Sequence, residues 1–231
     1  MTHPLIIALG LLPAAFLLAD ALSGRLGANP IETLTHTTGD WTIWLLLATL
    51  AVTPLRRITG WNEVIRFRRT LGLLAFGYGC AHFLIYLLLD REFVFDPGLA
   101  LASLGEDIAK RPYITVGFTA LLLLAPLAVT SSKGWIRRLG GRRWNALHRL
   151  IYVAAALGVL HYLWLVKGDQ VEPVWHGLLL VALLSVRVWD GRRRKQADRG
   201  GREATLRLRA ETGLSPPRSP LASAPPRSPR L

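Results

Sequence analysis

Cysteine is nearly absent from this chain, and acidic residues are few. The 231 residues include a single cysteine, Cys80, and 15 acidic residues against 28 lysines and arginines. One cysteine excludes an internal disulfide, an iron–sulfur site and the CxxCH motif that attaches haem covalently. The chain also lacks a GxGxxG sequence, the glycine-rich pattern of dinucleotide-binding folds. Any redox cofactor must therefore be held non-covalently, and outside a fold of that kind.

Long apolar segments, by contrast, dominate the sequence. Six blocks approach or reach the length of a bilayer crossing, which is roughly 20 residues. Each is too continuous for the amphipathic helix of a soluble protein, which needs a polar face. The first block lacks the basic start of a signal peptide, so we count it as a helix. The sequence predicts an all-α, polytopic membrane protein with a bundle of six transmembrane helices: Leu5–Leu22, Trp41–Leu55, Leu71–Leu89, Tyr113–Val129, Ala146–Val166 and Val174–Trp189.

The net charge of +13 is distributed unevenly between the gaps. Lysine and arginine cluster after the second, fourth and sixth blocks, which the positive-inside rule assigns to the cytoplasm together with both termini. Tryptophans near both ends of the blocks agree with membrane interfaces. Because topology accounts for the charge, we predict no nucleic-acid partner. The clustered basic residues are Arg56, Arg57, Arg66, Arg68, Arg69, Lys133, Arg137, Arg138, Arg142, Arg143, Arg192, Arg193, Arg194, Lys195 and Arg199.

The composition changes once, after about residue 190. Residues 1–190 hold the apolar blocks, whereas residues 191–231 are rich in arginine, glycine, serine and proline. Such a segment has too little apolar surface to fold, so we predict a disordered cytoplasmic tail whose basic start contacts anionic membrane lipid. The tail is also too short to form a flavin or nicotinamide domain.

Two histidines in the apolar blocks are candidate metal ligands. At 1.5 Å per residue, His82 lies roughly 20 Å beyond Arg69, and His161 lies roughly 26 Å beyond Trp144. Both positions fall toward the outer half of helices that run in the same direction, where two imidazoles can bind the two faces of one haem. Such an iron has no open position, which favours electron transfer over oxygen chemistry. The alternative is a neutral histidine hydrogen-bonded between helices.

Other candidate residues lie nearer the two surfaces. His148 lies only about 6 Å inside the inner surface, where it could ligate metal or contact a haem propionate, a flavin or a quinone, and these alternatives stay open. His36 begins the second helix and is either an interfacial side chain or a ligand. The cluster of Arg66, Arg68 and Arg69 either anchors the third helix or binds the phosphate of a flavin or a haem propionate, since arginine pairs with both groups.

Several segments match a known family in order. These are Arg66-Phe-Arg-Arg-Thr-Leu-Gly-Leu, Ala81-His-Phe-Leu-Ile-Tyr, Arg111-Pro-Tyr-Ile-Thr-Val-Gly, Leu147-His-Arg-Leu-Ile-Tyr and His161-Tyr-Leu-Trp-Leu-Val-Lys. Over about residues 20–190 the chain resembles the MsrQ (YedZ) family of the ferric-reductase-like transmembrane superfamily. Members are the haem-binding membrane subunits of bacterial periplasmic methionine-sulfoxide reductase. The resemblance does not cover the tail.

The resemblance implies a function that the residues alone do not reveal. It implies that His82, His148 and His161 are the functional histidines, that His36 is a recurrent position, and that haem b and FMN are the cofactors. Electrons would pass from the quinone pool, or from a cytoplasmic flavin reductase, across the bacterial inner membrane. The acceptor would be a periplasmic molybdenum-containing subunit that reduces methionine sulfoxide in proteins.

Two other functions compete with electron transfer to a partner. A ferric reductase or NADPH oxidase would need flavin and nicotinamide domains, so this chain would have to use a separate flavin partner. A transporter or structural membrane protein often shows inverted repeats and broken helices, and the sequence shows neither clearly. The favoured prediction is an electron-transfer subunit whose catalytic site lies on its partner.

Overall fold

The computed structural model describes residues 4–90, 95–165 and 171–212. Within these ranges the chain is helical, without strands, which confirms the all-α prediction. It divides into two compact units, Met1–Val186 and Arg187–Leu231. The α-helices are α1 (Pro4–Leu22), α2 (Pro30–Thr59), α3 (Phe67–Ile85), α4 (Pro97–Lys110), α5 (Pro112–Val129), α6 (Lys133–His148), α7 (Leu150–Leu165) and α8 (Glu172–Thr212).

Local sequence accounts for several helix boundaries. Before α2, the Asn29 side chain accepts a hydrogen bond from the backbone N–H of Glu32, and Pro30 occupies the first turn. Asp96 does the same for α4, accepting from the N–H of Leu99 at 2.9 Å, again followed by a proline. These residues satisfy N–H groups that the first helical turn leaves without partners. Gly60 ends α2 at a φ of 71°, a left-handed conformation that favours glycine.

Five segments of the described residues are long and apolar enough to cross a membrane, which confirms a polytopic membrane protein. The second apolar block, Trp41–Leu55, lies within α2, which is not among the five. Charged residues at the two ends of α2, such as Glu32 and Arg57, lower its hydropathy, and its middle is buried by other helices rather than facing outward. The five segments are Pro4–Leu22, Asn62–Asp90, Pro112–Val129, Lys133–Leu165 and Glu172–Leu208.

The core of the first unit forms around α2. Leu47 and Leu50 are both 1% exposed and pack in one cluster with small residues such as Ala75 on α3 and Ala154 on α7. Small residues let helix backbones approach closely, which is how helices associate in lipid. The most extensive helix pairs are α2 with α3 and α5 with α7. Many large apolar side chains on the other helices point outward, as lipid contact requires.

Two segments differ from the sequence prediction. Residues 97–110, expected only as an outer gap, form α4, which buries Ala100 and Asp107. The helix α8 continues to Thr212, whereas disorder was predicted from residue 191. Residues 192–212 contain no proline and many alanine, arginine, leucine and glutamate residues, which favour a helix. The rest of the predicted tail, 213–231, lies outside the described residues.

Candidate functional site

A cavity of about 490 Å³ lies among α2, α3, α5 and α7. One part of its wall is apolar, with side chains such as Ile43, Leu46 and Leu124. Another part is polar and includes residues from the start of α2, the end of the third span and the start of α5. The polar and charged lining residues are Asn29, Glu32, Thr35, His36, Asp40, Thr42, His82, Tyr86, Asp90, Arg111, Tyr113, His161 and Tyr162.

The cavity wall contains both histidines that the sequence placed at similar depth. His82 on α3 donates its Nδ1–H to the carbonyl oxygen of Thr35 on α2, at 2.8 Å. His161 on α7 donates its Nδ1–H to the carbonyl oxygen of Tyr113 on α5, at 2.7 Å. A carbonyl oxygen only accepts, so in each neutral ring the proton must be on Nδ1. Each Nε2 therefore keeps its lone pair, which is the form of histidine that binds metals.

The two rings lie at a separation that suits a shared metal ion. Their centroids are 6.2 Å apart and their planes are inclined by 79°. A metal–imidazole bond of about 2.0 Å on each side of one ion sets the two centroids about 6 Å apart. The inclination is compatible with this arrangement, because each ring can rotate about its own metal–nitrogen bond. Tyr113 belongs to one of the sequence motifs and Thr35 precedes His36, but nothing in the sequence indicated that their carbonyl oxygens accept these hydrogen bonds.

In the part of the chain that the structure describes, no third ligand accompanies this pair. Among the residues that the structure describes, no group of three or more His, Cys, Asp or Glu side chains is arranged to hold a metal ion. A transition-metal ion in a structural site is typically bound by four protein ligands. A catalytic site has three protein ligands, and water takes the fourth position. Two opposed imidazoles instead suit a metal whose other ligands come from a planar macrocycle.

His148 lies at a different place from the pair. It ends α6, where its Nε2 is 3.1 Å from the hydroxyl oxygen of Thr130. Trp144 stacks on its ring with centroids 3.9 Å apart and donates its indole N–H to the Thr130 carbonyl at 2.9 Å. The residues described along the cavity wall do not include His148. The structure thus separates His148 from the two histidines with which it was grouped as a metal ligand.

The predicted arginine cluster is also separate from the cavity. Arg66 ends a 3₁₀ turn, Asn62–Arg66, and forms an exposed ion pair with Glu63 at 2.7 Å. Arg68 is half-buried at the start of α3, and Arg69 is exposed. None of the three arginines is among the lining residues of the cavity that contains His82 and His161.

Two further histidines differ in their surroundings. His36 lines the cavity on α2, one residue after Thr35. His176 is buried on α8 and donates its Nδ1–H to the Glu172 carbonyl oxygen at 2.7 Å. The ring of Trp44 meets it edge-on, with centroids 4.5 Å apart. Of these two residues, only His36 is placed to contact a ligand in the cavity.

A buried carboxylate on α4 was not anticipated from the sequence. Asp107 on α4 is 5% exposed, accepts a hydrogen bond from the Tyr86 hydroxyl, and pairs with Nε of Arg111 at 3.1 Å. Tyr86 begins a π-helical turn, Tyr86–Asp90, that follows α3. The three side chains join α4, the π turn and the start of α5 beside the cavity, and Tyr86 and Arg111 are part of its wall.

Comparison with known proteins places the chain in a family. Residues 38–159 match the family of ferric reductase-like transmembrane components. A relative from Herminiimonas arsenicoxydans, named protein-methionine-sulfoxide reductase heme-binding subunit MsrQ, is 50% identical over 192 residues, which cover 81% of this chain and 85% of the relative. The chain belongs to the MsrQ family. MsrQ proteins from Ralstonia nicotianae (53% identical, 78% of this chain, 82% of the relative) and Deinococcus radiodurans (52%, 75% and 83%) agree.

Membership of the MsrQ family confirms the resemblance that the motifs indicated. The matched residues 38–159 include both His82 and His148, and they end two residues before His161. The relatives are named as heme-binding subunits of a protein-methionine-sulfoxide reductase.

Proposed function

We propose that this chain binds b-type haem between His82 and His161 and carries electrons across the bacterial inner membrane to a periplasmic methionine-sulfoxide reductase subunit. One observation supports the proposal most strongly. The two imidazoles lie 6.2 Å apart at one cavity, and each Nδ1–H is already bonded to a backbone carbonyl. Haem, when bound between two imidazoles, supplies a one-electron carrier whose iron has no open position.

The chain's own residues suit that task. The carbonyls of Thr35 and Tyr113 hold each ring with Nε2 available, and such bonds also raise the basicity of a ligating imidazole. The apolar side chains of the cavity wall, such as Leu46 and Leu124, exclude water from the flat faces of a macrocycle. Polar groups on the other part of the wall, including His36 and Arg111, suit the propionate edge.

We also propose that α2 is a sixth membrane crossing and that both termini are cytoplasmic. A helix of its 30 residues is about 45 Å long, which exceeds the hydrocarbon thickness. Its middle is surrounded by other helices, so a lower hydropathy is acceptable there. Reporter fusions after Arg69, Arg143 and Arg199 should report cytoplasm, and fusions within Asp96–Asp107 should report periplasm. If α2 does not cross, an added fusion within residues 23–29 will report the same compartment as the fusion after Arg69.

The inner end of the first unit is the proposed site of electron delivery. Arg68 and Arg69 lie in the first turn of α3 and His148 ends α6, two helix ends that the positive-inside rule assigns to the same side. Guanidinium groups bind phosphate through paired hydrogen bonds, so this end suits the phosphate of FMN as a second cofactor. We propose that electrons arrive here from the quinone pool or a cytoplasmic flavin reductase. The partner that receives them, a periplasmic molybdenum-containing subunit, performs the sulfoxide chemistry.

Reoxidation of the reduced haem tests this function directly. The purified, chemically reduced protein alone should leave methionine sulfoxide unreduced, because no substrate site is proposed on this chain. Adding the molybdenum-containing subunit and an oxidised protein should make the reduced α-band decay, and omitting either component should stop the decay. Decay that instead follows ferric chelates, without partner or sulfoxide, would favour the ferric-reductase alternative.

A further inference from the structure

Each of the two cavity histidines lies directly against a glycine on the neighbouring helix, the helix whose backbone carbonyl accepts its Nδ1–H. A Cβ added to Gly117 on α5 would lie 2.8 Å from Nδ1 of His161 and 2.9 Å from its Cγ and Cε1. A Cβ added to Gly39 on α2 would lie 3.1 Å from Nδ1 and 3.2 Å from Cε1 of His82. Carbon atoms do not approach ring atoms this closely without displacing them. Only a residue without a side chain leaves the rings where they are.

The helix geometry explains why glycine occurs at these two positions. Each glycine follows, by four residues, the residue whose carbonyl accepts the histidine Nδ1–H: Thr35 before Gly39, and Tyr113 before Gly117. In an α-helix, residue i+4 lies one turn above residue i on the same face, and its N–H points at that carbonyl. A ring that reaches the carbonyl of residue i therefore lies over residue i+4. A side chain there would block the hydrogen bond.

The same arrangement occurs twice, in the two most extensive helix pairs. In α2 and α3 the carbonyl and the histidine are 47 residues apart, and in α5 and α7 they are 48 residues apart. The sequence showed no convincing repeat. The two halves share only a glycine, a histidine and a backbone carbonyl oxygen, and a backbone oxygen does not require a particular residue type. The cavity is thus built from two equivalent halves, each with a histidine, a carbonyl and a glycine.

We propose that Gly39 and Gly117 are positioning residues, which hold the imidazoles of His82 and His161 at fixed orientations with their planes nearly perpendicular. The inference rests on the proposed haem ligation by these histidines. The observed inclination of 79° then becomes the angle between the two axial ligand planes. In ferric low-spin haem, perpendicular imidazole planes make two iron d orbitals nearly equal in energy, which raises the largest g value. Parallel planes separate those orbitals and lower it.

The two glycines should differ in their importance. At Gly117 the added carbon would meet three atoms of the His161 ring at 2.9 Å or less, so the ring must move and its bond to Tyr113 must lengthen. At Gly39 the contacts with His82 are 3.1 Å and 3.2 Å, which a displacement of a few tenths of an ångström relieves. Substitution at Gly117 should therefore weaken haem binding. Substitution at Gly39 should mainly change the orientation of one ring.

Alanine substitution with electron paramagnetic resonance tests this order. We expect Gly117→Ala to lower haem affinity about tenfold, a typical cost of a lost outer-shell contact, and to lower the largest g value of the haem that remains. Gly39→Ala should retain full haem with a smaller change in the same signal. Gly77→Ala is the matched control: Gly77 lies on α3, has nothing within 4 Å of an added Cβ, and does not line the cavity described above. Its haem content and g values should equal those of the unsubstituted protein.

Several outcomes would overturn the inference. Unchanged haem content and g values in both Gly117→Ala and Gly39→Ala would show that the glycines do not position the rings. Equal losses in Gly77→Ala would indicate general packing instead. If Gly117→Ala does not accumulate in the membrane, the g value of Gly39→Ala decides alone: a shift supports the inference and an unshifted value refutes it. Failure of the proposed ligation itself would be visible earlier, because the unsubstituted protein would lack a low-spin haem signal.

Discussion

Replacing His82 or His161 by alanine should remove most of the bound haem while the protein still inserts into the membrane. Each ring keeps one Nε2 available for a metal, the ring centroids are 6.2 Å apart, and the described residues offer no third histidine, cysteine or carboxylate in a metal-binding group with them. Loss of either ring leaves iron with one protein ligand in a largely apolar cavity. The measurement is the ratio of pyridine haemochrome to protein in purified membranes, with insertion checked by a fused fluorescent reporter.

Chemical rescue separates a lost ligand from a damaged fold. Substituting His82 or His161 by glycine removes the ring, and free imidazole added during haem loading can then occupy the space that the ring leaves. Partial recovery of the low-spin spectrum with imidazole would identify the missing group as an axial ligand. A normal spectrum with two imidazole ligands in His82→Ala or His161→Ala, without added imidazole, would show that the pair has been misassigned.

Replacing His148 by alanine should slow electron delivery while leaving the haem between His82 and His161 in place. The ring of His148 is held by Thr130 and Trp144 at the end of α6 and is not part of the cavity wall described above. We expect reduction of the haem to be roughly tenfold slower, which corresponds to about 1.4 kcal/mol in activation free energy. Stopped-flow recording of the α-band, after mixing with the electron donor, measures this rate.

A conservative variant shows whether the imidazole itself matters. His148→Gln retains a side chain that can hydrogen-bond to the Thr130 hydroxyl but cannot take up protons or ligate metal in the same way. Equal slowing in His148→Gln and His148→Ala would indicate a direct role of the ring. Normal rates in the glutamine variant would reduce His148 to a structural contact, and complete loss of haem in either variant would make it a ligand instead.

The apolar blocks predicted most of the helices because a bilayer constrains a helix through length and hydropathy alone. The apolar block Trp41–Leu55 lies in α2, whose middle is buried by other helices and which is not among the five candidate spans. A helix that other helices surround has little contact with lipid, so its sequence can include charged ends and threonines. Its mean hydropathy is therefore a poor indicator that it crosses the membrane. The helix α4 was missed for a related reason: it is amphipathic rather than spanning, and its buried Asp107 accepts a hydrogen bond from Tyr86, 21 residues earlier in the sequence.

The histidines show the limit of reasoning along one helix. A depth estimate needs only the rise per residue, so the similar levels of His82 and His161 were evident from the sequence. Their ring orientation depends on Thr35 and Tyr113, which lie on other helices. For His148 the estimate assumed one straight helix reaching His161, whereas α6 ends at His148 and α7 begins at Leu150. Its contacts with Thr130 and Trp144 had no signal in the spacing.

By itself, the sequence determined that this is a helical membrane protein without a CxxCH motif and that it belongs to the MsrQ family, because length, composition and motif order are properties of the chain alone. The tertiary structure decided which histidines face each other, which nitrogen of each ring is free, and which glycines lie beneath them. Those features arise where α2 meets α3 and α5 meets α7. The responsible groups are the carbonyl oxygens of Thr35 and Tyr113 and the glycines Gly39 and Gly117. They contact the histidine rings only because helices distant in sequence pack together.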